Sequence, residues 1–366
     1  MLAVGLIFIW LAISKKWEPY ELLPIGIGMI LANLPGTGLL LQPQEVGGEI
    51  GAAGLLGIFI EYGILRFTVL PQLIFIGLGA MTDFSPLIAK PKLFLLGAAA
   101  QLGIMLAFLG ALALGHFGIA DFDILKAAAI GIVGGADGPT TIYLTSKLAP
   151  ELMGVTAVAA YSYMAMVAFI QPPIIRALTT KKERQTYMKS QIRPVSKRER
   201  VLFPIICTIV VVLLVPQSAP LVGMFMFGNL LRESGVVERL SISAQNSLIN
   251  LTTIILMLSI GASMPGEVVM RPETLMVLAL GLIAFAGGTA GGVLMGKIMK
   301  LVSKEPFNPM IGAAGVSAVP MAARVVQHIG QKENPKNFLL MYAMGPNAAG
   351  VIGSAVVAGV FLNMLG

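Results

Sequence analysis

Gly131-Ile-Val-Gly-Gly-Ala-Asp137-Gly-Pro-Thr-Thr-Ile-Tyr143 lies between long apolar segments. Gly134, Gly135, Gly138 and Pro139 bar an uninterrupted helix: an interior glycine costs about 0.5–1 kcal/mol, and proline lacks the amide donor a helix needs. Asp137 places a carboxylate inside this break. An ionisable side chain within a membrane segment is by default a functional hypothesis. Unpaired, it costs at least ~2.5–3.5 kcal/mol, which argues against a decorative role, although capping a broken helix is the simpler alternative. A second stretch of the same kind, Asn308 to Arg324, answers it.

The apolar surroundings are those of a membrane. Of 366 residues, 56% are hydrophobic and 12% charged, whereas a soluble domain carries roughly 25% charged residues. The mean hydropathy is +0.86. The apolar runs are continuous rather than alternating, which excludes a membrane β-barrel. The 42 glycines and 22 prolines suit close helix packing and broken helices. The chain therefore reads as an all-α polytopic membrane protein.

The net charge of +7 is concentrated. Lys181, Lys182, Arg184, Lys189, Arg193, Lys197, Arg198 and Arg200 share one loop, a cytoplasmic signal by the positive-inside rule rather than a nucleic-acid footprint. Cys207 is the single cysteine and excludes an intrachain disulfide. His116 and His328 are far apart, and neither a P-loop nor a Rossmann fingerprint occurs. Residues 1–14 lack a basic start, and Lys15-Lys16 follows the apolar run, so they read as a transmembrane helix rather than a signal peptide.

Lysines and arginines then set the direction of each span. Lys15 and Lys16 are inside; Leu22 to Leu34 runs outward to the acidic loop Gln42–Glu49. Residues 51–81 are left open; one reading is an interfacial segment, interrupted by Glu61 and Arg66, followed by a span from Leu70 to Met81. Lys90 and Lys92 are inside, Leu93 to Leu114 crosses outward, and Ile124–Tyr143 forms a re-entrant hairpin entering from outside. Gly154 to Ile175 returns to the basic loop. Val201 to Val215, Leu221 to Leu231, Leu248 to Ser263 and Leu275 to Met299 follow; the spans within 217–246 are left open. Asn308 to Gln327 re-enters from the cytoplasm, and Phe338 to Leu362 is the last span.

Short matches relate the two halves. Gly28–Asn33 resembles Met224–Asn229, Gly77–Met81 resembles Ser259–Ser263, and Gly135–Pro139 falls against Gly315–Val319. Matched segments run in opposite directions, so the expected plan is an inverted repeat whose two opposed re-entrant segments meet near the midplane, as in many secondary transporters. The divisions are 1–21, an N-terminal helix and turn; 22–180, the first repeat; 181–219, the basic linker and a connecting helix; and 220–366, the second repeat.

Broken helices expose carbonyls and helix ends to ions. Asp137 supplies one charged oxygen; Thr140, Thr141, Ser317, Asn308 and Asn347 are candidate neutral ones. A single carboxylate among neutral oxygens favours a monovalent cation such as Na⁺. Arg324 either binds a carboxylate, pairs with Asp137 or snorkels to the interface. Tyr161 and Tyr163 suit an interfacial belt or a proton relay. Asn347 is a packing residue or a ligand, and Asn33 with Asn229 reads as a packing pair. On these features alone, a stand-alone sodium–carboxylate or sodium–proton transporter fits equally well.

Gly134–Tyr143, Asn308–Arg324 and Gly345-Pro-Asn347 together resemble the membrane β subunit of sodium-pumping biotin-dependent decarboxylases, the family of the oxaloacetate, methylmalonyl-CoA, glutaconyl-CoA and malonate enzymes. The likeness covers nearly the whole chain. It implies decarboxylation of carboxybiotin held on a separate carrier protein, consumption of a proton, and outward Na⁺ transport. It implies catalytic roles for Asp137, Tyr163 and Arg324, a carboxybiotin contact for Arg324, Asn308 and Gly312, and Na⁺ ligation by Asp137, Asn308 and Ser317. The implied partners are a carboxyltransferase/carrier α-type subunit, a small γ-type membrane subunit and further copies of the chain, in a prokaryotic inner membrane.

Overall fold

Helices account for nearly all of the architecture, as continuous apolar runs in a membrane require: every backbone donor and acceptor must be satisfied within the segment. The computed structural model describes residues 1–43, 45–46, 49–50, 52–188, 193–264, 266 and 271–366. Four of its helices are long and apolar enough to cross a membrane: Pro91–His116, Glu238–Ala262, Pro272–Val302 and Leu340–Leu365. Two further pairs are bent, Leu55–Arg66 with Val69–Met81 by 74° and Pro150–Ala165 with Val167–Leu178 by 66°. A minimal hairpin pairs Glu45–Val46 with Glu49–Ile50. Lys189 and part of the Gln42–Glu49 loop lie outside the described residues.

One open stretch takes a definite form and two expectations change. Leu55–Arg66 and Val69–Met81 form the bent helix pair, with Thr68 in a left-handed conformation at the break. The span expected from Leu248 begins at Glu238, because a π-type turn over Ala244–Leu248 carries the helix through Gln245 and Asn246. The span after Gly154 is broken at Met166, ahead of Pro172 and Pro173; no single residue type marks that break.

The repeat matches reappear as a symmetric pattern of packing. The Pro19–Ala32 helix packs on Ile249–Ala262, and Val69–Met81 packs on Met224–Ser234, so each match exchanges one packed pair for the other. A Cβ on Gly79 would lie 1.8 Å from the Phe225 carbonyl oxygen, and one on Gly261 would lie 2.1 Å from that of Ile25. Asn33 Nδ2 donates to the Met264 carbonyl at 3.3 Å, and Asn229 Nδ2 donates to the Thr82 carbonyl at 2.8 Å. Met264 follows Ser263 as Thr82 follows Met81, so the two asparagines make equivalent bonds.

The linker is a clamp. Asn308 Nδ2 donates to the carbonyls of Arg184 and Thr186, each at 3.0 Å. Asn337 Nδ2 also reaches the Thr186 carbonyl at 2.8 Å, and Arg184 Nε pairs with Glu333 at 2.9 Å. Both ends of the second broken stretch are thereby tied to the segment just after Thr180. Lys297 and Lys300 each approach Glu183 to 3.6 Å. Burial opposes ionisation of Glu183, but the Thr180 amide and hydroxyl donors and the two ammonium groups outweigh it and hold the carboxyl below its ordinary range. On the exposed side, Arg193 and the Ser196 donors lower Glu199 to about 2.

Candidate functional site

Both glycine-broken stretches lose their helical hydrogen bonding where the sequence demands it. Ile124–Gly131 tightens into a 3₁₀ turn over Ile132–Gly135. Ala136 is left-handed (φ 52°) and Asp137 extended, and a new helix starts at Gly138. Opposite it, Pro309–Gly315 is 3₁₀, Val316 is extended and Met321–Glu333 is helical. The two breaks touch: the Ser317 amide donates to the Gly135 carbonyl at 3.1 Å. Asn347 holds the second break open-ended by donating to the carbonyls of Ala314 at 3.0 Å and Val316 at 2.8 Å.

Asp137 sits at this junction, 4% exposed. Its Oδ1 caps the Gly138–Leu148 helix at the Thr140 amide, 3.4 Å away. Its Oδ2 accepts from Thr140 Oγ1 at 2.6 Å and from Ser354 Oγ at 2.8 Å. Ser317 Oγ in turn lies 3.4 Å from Ser354 Oγ. All of these partners are neutral, and among the described residues no lysine or arginine forms an ion pair with Asp137. Each hydroxyl keeps lone pairs after donating its proton, so one carboxylate and three hydroxyl oxygens stand ready for a cation. Among the described residues no group of three acidic, histidine or cysteine side chains is placed to hold a metal ion.

A cavity of about 120 Å³ reaches Asp137, with Ser317, Gly138, Tyr161, Glu18 and Glu21 in its wall. That space holds several waters, since one needs only ~10–15 Å³ of such volume. Thr82 from the end of Val69–Met81 and Met321 at the start of the last broken segment also line it, and Glu18 in its wall follows Lys15-Lys16 in the chain. Arg324 is exposed on the Met321–Glu333 helix, one turn beyond this wall.

The structure therefore brings together Asp137 and Ser317 but not all of their expected companions. Asn308 caps the Met310 amide with Oδ1 at 3.1 Å and directs its amide at the linker. Gly312 is a contact point: its Cβ would lie 1.9 Å from the Gly292 carbonyl of the Pro272–Val302 helix. Tyr163 Oη donates to the Leu278 carbonyl and lines a separate apolar cavity of about 390 Å³ with Met29 and Met264. Tyr161 is the tyrosine that faces Asp137, its ring against Gly138. Ser354, Glu18 and Glu21 went unnoticed in the sequence: the serine lies in a long apolar helix, and the two acids follow Lys15-Lys16 in what reads as a polar turn.

A family model described as the Na⁺-transporting oxaloacetate decarboxylase beta subunit matches residues 1–365. The chain belongs to that family. It is 52% identical to an oxaloacetate decarboxylase beta chain of Salmonella typhi, over 99% of this chain and 94% of the relative. It is 54% identical to the methylmalonyl-CoA decarboxylase subunit beta of Propionigenium modestum, over 100% and 94%. It is 52% identical to the glutaconyl-CoA decarboxylase subunit beta of Acidaminococcus fermentans, over 100% and 92%. The three relatives are named for different decarboxylase substrates.

Proposed function

We propose that this β subunit binds Na⁺ at Asp137 and exports it at the expense of carboxybiotin decarboxylation. The observation that carries this reading is Asp137 itself: a buried carboxylate at the contact of two broken segments, held only by neutral hydroxyls and open to a cavity. Na⁺ takes oxygen ligands of this kind. Asp137, Thr140, Ser317 and Ser354 supply them, while Asn308 and Gly312 hold the second broken segment in position. Carboxybiotin arrives on a carrier belonging to an α-type subunit, from the lysine-rich face. Arg324 receives its carboxylate at the mouth of the cavity. The C–N bond breaks, CO₂ leaves, and the biotin nitrogen takes up a proton, so the overall step consumes one proton. A small γ-type subunit and further copies of the chain complete the assembly, in the inner membrane of a prokaryote.

Purified complex in proteoliposomes tests this. Asp137→Asn is expected to abolish Na⁺-dependent decarboxylation and ²²Na⁺ accumulation; undiminished pumping by that variant sinks the assignment. Na⁺ uptake that is the same with and without carboxylated carrier points instead to a stand-alone transporter.

A further inference from the structure

Glu18 and Glu21 stand at the start of the Pro19–Ala32 helix and line the same cavity as Asp137. Their carboxyl groups are in hydrogen-bond contact with each other. A helix N-terminus favours acidic groups, but that does not explain two carboxyls turned onto one another in a mostly apolar space. Two further oxygens at this place have no partner. Glu21 Oε2 is buried and accepts from nothing, and Tyr161 Oη, on a side chain only 4% exposed, neither donates nor accepts. The Tyr161 hydroxyl lies within electrostatic reach of both Glu21 and Asp137, and the Arg324 charge acts on Glu18. A hydrogen bond between two carboxyl groups needs a proton on one of them, so a cation that takes that proton's place meets two carboxylates and one guanidinium. A buried unpartnered oxygen is costly, and one cation ligated here satisfies both orphans and the charge that the departing proton leaves.

We propose that Glu18, Glu21 and Tyr161 form a second Na⁺ site, a staging post between the lysine-rich mouth of the cavity and Asp137. The inference rests on Na⁺ being the ion handled at Asp137. A Na⁺ ion held by the two carboxylates and the tyrosine hydroxyl approaches Asp137 already stripped of part of its water, and the proton it displaces from the carboxyl pair leaves to solvent.

The test is equilibrium binding of ²²Na⁺ to the purified complex at fixed pH. Glu21→Gln is expected to remove one bound Na⁺ per β chain, and Tyr161→Phe to weaken one site about tenfold without changing the number. Asp137→Asn should remove a different ion and leave the Glu21-dependent one. An isotherm identical to wild type for Glu21→Gln overturns the proposal, including the case where the pair carries a proton instead. If Glu21→Gln does not assemble, Glu18→Gln and Tyr161→Phe serve, and an unchanged isotherm in both overturns it equally. Failure of Asp137→Asn to lose an ion counts against the Asp137 site alone, so the two readings fail separately.

Discussion

Ser354 shows how a single hydroxyl can matter inside a long apolar helix. Its Oγ lies 2.8 Å from Asp137 Oδ2, to which it donates its one proton, with the Val351 carbonyl 3.0 Å away as the alternative acceptor, and it sits beside Ser317. A hydrogen bond to a charged group contributes about 1.5–3 kcal/mol. Ser354→Ala should therefore weaken the Na⁺ dependence of decarboxylation by ~10- to 100-fold, one decade per 1.4 kcal/mol. The expected signature is a raised half-saturating Na⁺ concentration with maximal turnover largely kept. A variant with wild-type Na⁺ dependence would show that the hydroxyl merely fills space. Tyr163 makes the contrasting case. Its hydroxyl satisfies the Leu278 carbonyl, so Tyr163→Phe should lower stability by about 1 kcal/mol and leave Na⁺ affinity alone; a shift in Na⁺ affinity would restore it to the ion path.

At the scale of elements, the linker and the second broken segment behave as one unit. Asn308 distinguishes anchor from ligand by substitution. Asn308→Asp keeps the oxygen that caps Met310 but turns a donor into an acceptor facing the Arg184 and Thr186 carbonyls. As an anchor it should lose about 1–3 kcal/mol of stability, seen as a lower melting temperature; as a ligand it should bind Na⁺ at least as well as wild type. Glu183 gives the same unit a pH dependence. Its carboxyl titrates below the ordinary 4.5 in the folded chain, so its contribution is present above that pH and is lost as the pH falls through the lowered folded value. The stability gap between wild type and Glu183→Gln should accordingly be full at neutral pH and close on acidification below about 4.5. A gap that widens in acid would contradict the ion pairs with Lys297 and Lys300. The sequence displayed the elements themselves plainly, because apolar runs, Gly-Pro breaks and lysine-bearing turns are local signals. It did not display the clamp, since Asn308, Asn337, Arg184 and Glu333 meet only through tertiary structure, nor Glu18 and Glu21, whose charge beside two lysines looks solvated until the helix turns them inward.

Across the whole molecule, the two cavities are counterparts. Thr82 and Phe225 line the one that reaches Asp137; Met264 and Met29, their equivalents in the repeat matches, line the one beside Tyr163. The first contains three carboxylates and the second none among its lining residues. A pseudo-symmetric scaffold can exchange the states of its two halves, so closing the Thr82 side and opening the Met264 side would expose Asp137 to the opposite face. Close backbone contacts make such an exchange a rigid-body movement: Gly79 on Phe225 and Gly261 on Ile25 leave no room for side chains to yield. Cysteine labelling in sealed vesicles tests this, with Cys207→Ser as background. Thr82→Cys should react with a membrane-impermeant maleimide from the lysine-rich face, more slowly when Na⁺ is bound. Met264→Cys should be inert at rest and become reactive from the other face only while carboxylated carrier is supplied. Equal reactivity of Met264→Cys with and without turnover would rule out exchange between the halves and leave Na⁺ to pass along a fixed channel.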